Sequence, residues 1–187
     1  MKKEQKTIAE LHQIALNEAF KIHENDYETV ITIDKYGKIR RKKGNRRDVE
    51  ATDDMMENAV ITLHNHPDAG YTFAAFSGSD VEVLIENPQL QEIMVCGYWH
   101  CWTLKRAKNH PKYNAKQIIQ DLQVMYDYWY NKTADKISKV PYIEDAKKRE
   151  KVMISAMYKW HEERHKKYNT ALTKYLREKG FIIKKEK

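Results

Sequence analysis

Cysteine is nearly absent from this chain. Cys96 and Cys101 are the only two in 187 residues, too few for a disulfide framework, so a reducing, cytoplasmic compartment is the expectation. They flank Gly97-Tyr98-Trp99-His100, a hairpin-turn pattern that makes them structural thiols, with a second metal site using His100 as the alternative. Long apolar runs are missing too. No stretch approaches the roughly 18 residues that a membrane span needs, so no membrane partner is expected. The opening Met1-Lys2-Lys3-Glu4-Gln5-Lys6 leads into an amphipathic segment and has no apolar signal-peptide core. Internal repeats and low-complexity tracts are likewise absent. Basic charge is scarce only in the middle: residues 1–50 carry +3, residues 51–108 carry −5, and residues 109–187 carry +9. A carboxylate-rich centre beside a basic tail implies a cationic binding surface separate from any chemistry.

The patterning that remains is organised. Ile8, Leu11, Ile14 (or Ala15) and Ala19 recur at helical spacing, predicting a leading helix over 8–24. Glu28-Thr29-Val30-Ile31-Thr32-Ile33-Asp34 alternates and is β-branched, a strand that turns at Lys35-Tyr36-Gly37-Lys38 into a second one. Lys38 to Arg47 then holds seven Lys or Arg in ten positions. This run reads as a lysine-protected sheet edge, or else as a contact for nucleic acid or an acidic partner. Ala59 to Leu63 is a buried strand, Asp80 to Glu86 a short helix stopped by Asn87-Pro88, and Gln91–Cys96 and Trp99–Arg106 two more strands. The fold class is therefore α/β or α+β, a mixed sheet flanked by helices over residues 1–108. Residues 109–187 change character. After His110-Pro111 come an aromatic-rich helix over 114–131 and a longer one over 142–179, ended by Gly180. Ile154, Tyr158, His161, His165, Tyr168, Leu172 and Tyr175 form a heptad-like seam on the longer helix. This predicts a basic helical extension that docks on its neighbour, on a partner or on a second copy.

The chemistry is concentrated in His64-Asn65-His66-Pro67 and Ser77-Gly78-Ser79-Asp80. Residues i and i+2 of a strand point the same way, so His64 and His66, at the end of the 59–63 strand, can aim both rings at one ion. A catalytic zinc site takes three protein ligands and keeps a fourth position open; a downstream aspartate supplies the third. The ordinary alternative is a helix start with Ser77 or Ser79 as its N-cap.

His-x-His-Pro followed by Ser-x-x-Asp resembles the motif of the JAMM/MPN metallopeptidases. With Asn between the histidines and Phe76 before the serine, it is most similar to JAMM-type domains of phage and mobile-element proteins and to the RadC-type proteins. The resemblance covers roughly residues 28 to 106. It implies zinc held by His64, His66 and Asp80, with Ser77 steadying an oxyanion, a contribution of roughly 3 kcal/mol in comparable sites. It also implies a catalytic glutamate at the start of an early strand. Glu28 fits best, with Glu50 and Glu57 as alternatives. One departure stands out: ten residues separate His66 from Ser77 where the family has about seven, which implies a longer loop within Asp68 to Ala75. The implied activity is cleavage of an amide or isopeptide bond in a protein or protein conjugate that lies as an extended strand along the sheet edge beside the motif. The alternative is a catalytically silent module of the same fold that contacts nucleic acid or an assembly through Lys38–Arg47 and the basic tail.

A second histidine pair competes. His161-Glu162-Glu163-Arg164-His165 matches the His-Glu-x-x-His helix of zinc proteases. Lys159, Glu163, Arg164, Lys166 and Lys167 surround it with charge, and no third-ligand motif follows, so these are read as polar residues of a helix interface.

Overall fold

A computed structural model describes residues 4–46, 48–67, 76–97, 100–107, 114–140 and 142–186. The predicted loop Asp68 to Ala75 lies outside them, as do Arg47, Tyr98, Trp99 and the His110-Pro111 break. The described residues form five helices and six strands in the order α1 (Ile8–Ile22), β1 (Thr29–Asp34), β2 (Ile39–Lys43), α2 (Asp53–Met56), β3 (Ala59–Asn65), α3 (Gly78–Glu86), β4 (Glu92–Cys96), β5 (Cys101–Arg106), α4 (Ala115–Ser138), α5 (Ala146–Glu178) and β6 (Phe181–Lys185). The strands make one mixed sheet, β2-β1-β3-β4-β5-β6. Only β3 and β4 run parallel; every other pairing is antiparallel. A parallel pair needs a crossover, and α3 provides it.

Alternation along the strands divides the interior in two. Ile31, Ile33, Ile61, Leu63, Met94 and Cys96 pack on one face against Leu11, Ala15, Ala19 and Ile22 of α1. That helix starts at a capping box in which the Thr7 side chain accepts from the Glu10 backbone N–H while Glu10 reaches back to Thr7. The other face, with Ile93, Val95, Leu104, Phe181 and Ile183, packs against α3, α4 and α5 through Val81, Leu84, Ile118, Leu122, Tyr168, Leu172 and Leu176. Arg106 reaches from β5 to the carbonyls of Leu84, Asn87 and Leu90. It places a cation where the C-terminal end of α3 carries unpaired acceptors.

Several expectations change in the folded chain. The 108/109 boundary separates residues that share one sheet and one core, because β6 pairs with β5 and the longer helix packs on the sheet. Neither α2 nor β6 was legible in the sequence. The seam of α5 is realised in part, with Tyr168 and Leu172 buried as predicted and the rest shifted. Its buried residues are Trp160, Arg164, Tyr168, Leu172 and Leu176, whereas Ile154 and Tyr158 are exposed, Tyr158 to 73%. Val152 and Met153, near the start of the same helix, are half-buried. Finally, β3 is paired on both sides, with β2 and β6 as the sheet edges. An extended substrate has no free edge beside β3 on which to pair.

Candidate metal centre

The site is built where β3 ends. His64 lies across from Val30 of β1 and Val95 of β4, and Val95 belongs to the core face covered by α3, α4 and α5. His64 and His66 therefore both point toward that layer. Asn65, between them, points the other way and is completely buried. Its Oδ1 accepts from the Thr29 backbone N–H at 2.7 Å, and its Nδ2 donates to the Tyr27 carbonyl at 3.0 Å and the Asn25 carbonyl at 3.4 Å. Those bonds tie the approach to β1 onto β3. They also fix Glu28, which is in register two residues before Val30 and hence on the histidine side of the sheet.

The third group arrives on α3. Because β3 and β4 are parallel, the crossover helix must begin near the carboxyl end of β3, a common location for ligand sites in α/β sheets. Asp80 is in the first turn of that helix, where the positive end of the peptide dipoles favours a carboxylate. Its Oδ2 accepts from the Ser77 backbone N–H at 2.6 Å and the Ser77 hydroxyl at 2.7 Å, while Ser77 Oγ accepts from the Asp80 N–H at 3.2 Å. This is a capping box, so the helix-start reading of Ser77 is realised. It also turns the remaining oxygen, Oδ1, to His64 Nε2 at 3.2 Å.

His64 Nε2 and His66 Nε2 face one another at 2.9 Å, and one ligand atom from each of His64, His66 and Asp80 lies within 4.8 Å of the others. Ligand atoms about 2.0–2.1 Å from a tetrahedral ion sit roughly 3.3 Å apart. The two short separations are close to that spacing. The donor set of two imidazoles and one carboxylate suits zinc chemically, and it is the one such cluster among the described residues.

The electrostatics favour a proton on His64. Burial alone would lower His64, but the Asp80 carboxylate, by charge and hydrogen bond, and then Glu28 raise it above its usual value. Burial and the neighbouring His64 push His66 down to about 4, with His165 adding to the same effect. Burial works against the Asp80 carboxylate, yet His64, His66 and Ser77 hold it down at about 2. The result is an ionised aspartate, a neutral His66 and a proton-attracting His64.

Of the residues predicted for the site, His64, His66, Asp80 and Ser77 come together, and Glu28 is close enough to act on His64. Glu50 and Glu57 are exposed; Glu57 precedes β3, seven residues and roughly 23 Å of strand from His64. Neither His161 nor His165 joins the cluster. Both accept from Arg164 Nη2 at 3.2 Å, in keeping with polar residues of a helix interface. Cys96 and Cys101 face the α1 side, with sulfurs 2.8 Å apart. Three contributors escaped the sequence reading. Asn65 had a signal, since a residue between two same-facing histidines must point into the opposite core. His165 and Tyr168 had none: the Tyr168 hydroxyl is raised to about 12 by burial and then by the Asp80 charge, a proximity that exists only through packing.

Comparison with known proteins gives no matching family model, curated protein or solved structure.

Proposed function

We propose that this protein is a zinc-dependent hydrolase of the JAMM type, cleaving an amide or isopeptide bond in a protein substrate. The observation that carries the reading is the convergence of His64, His66 and Asp80 from two elements onto one point, with Glu28 on the same side of the sheet. Zinc bound by these three residues would supply Lewis acidity, which lowers the pKa of a coordinated water from 15.7 to about 7. Asp80 is ionised across the physiological range and presents Oδ1, because Ser77 occupies Oδ2. His66 presents a neutral nitrogen. His64 must give up the proton that Asp80 and Glu28 favour, so loading releases a proton and strengthens as pH rises through the raised His64 value. Glu28 is the acid–base group: it accepts a proton from the attacking water and returns it to the departing amine. Ser77 serves first to orient Asp80; its hydroxyl is also the donor for the oxyanion, a duty that requires it to leave Asp80 Oδ2.

Metal analysis of the purified chain tests this directly. One zinc per chain is expected, lost in the His64→Ala/His66→Ala double variant. A chain that takes up no zinc under metal-replete conditions would sink the proposal. Glu28→Gln is expected to keep the zinc and lose about 10²–10⁴-fold in turnover of an amide substrate; unchanged turnover moves the base elsewhere.

A further inference from the structure

The buried stripe of α5 runs Trp160, Arg164, Tyr168, Leu172, Leu176. One member is out of character: Arg164 is only 9% exposed, although a guanidinium stays charged under all ordinary conditions. A buried cation is normally paired with a carboxylate. Among the described residues no carboxylate pairs with Arg164. Its guanidinium carbon lies 4.8 Å from the Trp160 ring centroid, 5.5 Å from that of Tyr130 and 5.9 Å from that of Tyr126. Nη2 donates to His161 Nδ1 and His165 Nε2, and neither Nε nor Nη1 makes a hydrogen bond to a described residue. The Trp160 indole N–H, in the same cage, is buried and also lacks an acceptor among the described residues. The cage thus holds one net positive charge and a surplus of donors.

The cage adjoins the candidate metal centre. His64 and His66 point toward the layer that contains α5. Tyr168, one turn beyond Arg164 on the same stripe, packs in the cluster that contains Phe76, the residue before Ser77. Tyr168 also stacks edge-to-face on Tyr126 of the cage at 5.7 Å. His165, bonded to Arg164, contributes to the field at His66.

We infer that Arg164 is the recognition cation for a carboxylate of the substrate, held beside the hydrolytic site by the free edge of its guanidinium. The inference rests on the hydrolase reading for the word substrate, but the binding itself does not depend on metal. A planar carboxylate matches the guanidinium fork with two parallel bonds, and its single charge balances the single cation. A phosphate, carrying close to two charges, would find one cation and two imidazoles that burial and Arg164 disfavour from protonating. A chain terminus or an acidic side chain would supply such a carboxylate.

The 187-residue chain, with zinc removed so that a carboxylate has no ion to ligate, is titrated with N-acetyl-Gly-Gly, its carboxyl-terminal amide, N-acetyl-glutamate amide and inorganic phosphate. Tryptophan fluorescence and the Trp160 indole N–H resonance report binding. At least tenfold tighter binding of a free carboxylate than of the amide is expected, with the Trp160 resonance shifting. Arg164→Gln should erase the difference and Arg164→Lys should keep part of it. Tighter binding of N-acetyl-Gly-Gly than of N-acetyl-glutamate amide marks a chain terminus as the source, and the reverse order marks a side chain; either supports the inference. Equal affinity for acid and amide in the unaltered protein, binding of neither, preference for phosphate, or a preference that survives in a folded Arg164→Gln variant would overturn it. Failure to bind zinc alongside intact carboxylate preference would remove the hydrolase reading and leave Arg164 as an anion site.

Discussion

At the scale of single residues, the centre depends on what lies between and behind its ligands. Asn65 satisfies three backbone groups of the segment that delivers Glu28, from a position with no access to water. Asn65→Ala would leave those groups unpaired, at a cost of about 1–3 kcal/mol for each buried group that finds no replacement. A drop of about 2–4 kcal/mol in unfolding free energy by urea titration is expected, and an unchanged midpoint would mean that solvent replaces the amide. His165 offers a different handle. Burial, then Arg164 and His161, hold it at about 4 in the folded chain against about 6.5 unfolded. Between those values the unfolded chain binds more protons, so this contribution is present above pH 6.5 and is lost as pH falls toward 4. In zinc-free protein, His165→Gln is expected to flatten the fall in stability across that window by on the order of 2 kcal/mol, after allowance for partial exposure. Superimposable pH profiles of the two proteins would refute it.

At the scale of elements, the decisive arrangement is a strand end facing a helix start. The β3–α3–β4 crossover brings the first turn of α3 to the carboxyl end of β3, and the capping box Ser77–Asp80 fixes the carboxylate that the proposed zinc site would use. The same bonds that start the helix fix the Asp80 carboxylate. Ser77→Ala is therefore expected to act twice. It should cost about 1 kcal/mol of stability as a lost N-cap, and it should weaken zinc binding measurably by freeing Asp80 to rotate. Calorimetric zinc titration of this variant separates the effects; full affinity at reduced stability would confine Ser77 to capping. The basic run lies at a sheet edge in β2, where Arg41 pairs with the buried Glu18 and Lys43 sits over the Tyr27 ring. Part of that charge is thereby committed within the fold.

At the scale of the whole molecule, the carboxyl-terminal third is part of the sheet. β6 adds Phe181 and Ile183 to the core, and Glu186 accepts from Thr103 at 2.7 Å while pairing with Lys184. Fully burying each of those two apolar side chains is worth about 1.5–3 kcal/mol, so deleting residues 181–187 is expected to remove roughly 3–6 kcal/mol. That is a large part of the 5–15 kcal/mol typical of a folded domain. Loss of a cooperative thermal transition in the truncated chain would bear this out, and a native-like transition would show a sheet that is complete at β5. The helices α4 and α5 consequently belong to the main core, and His165 of α5 comes close enough to add to the field at His66.

Much of this was legible along the chain. Period-two alternation marked β1, a β-branched apolar run marked β3, strands were also read at β4 and β5, helical spacing marked α1, and Pro88 and Gly180 marked stops. The His-x-His spacing on a strand end was enough to predict that both rings share a side, because strand geometry is local. Asp80 was nominated by the Ser-x-x-Asp motif of the resemblance despite a longer spacing after the histidines, and only the parallel crossover brings its carboxylate to 3.2 Å from His64. β6 was invisible because Phe181-Ile182-Ile183-Lys184-Lys185 is short and half exposed, and its pairing partner lies some eighty residues earlier. The cage around Arg164 was equally out of reach. Charge in a helix reads as a solvated face, and burial of that one guanidinium is decided by which surface the helix meets. Local backbone preference thus determined the elements and the shared side of His64 and His66. Long-range packing decided where Asp80 sits, the sixth strand and the company that α5 keeps with the site.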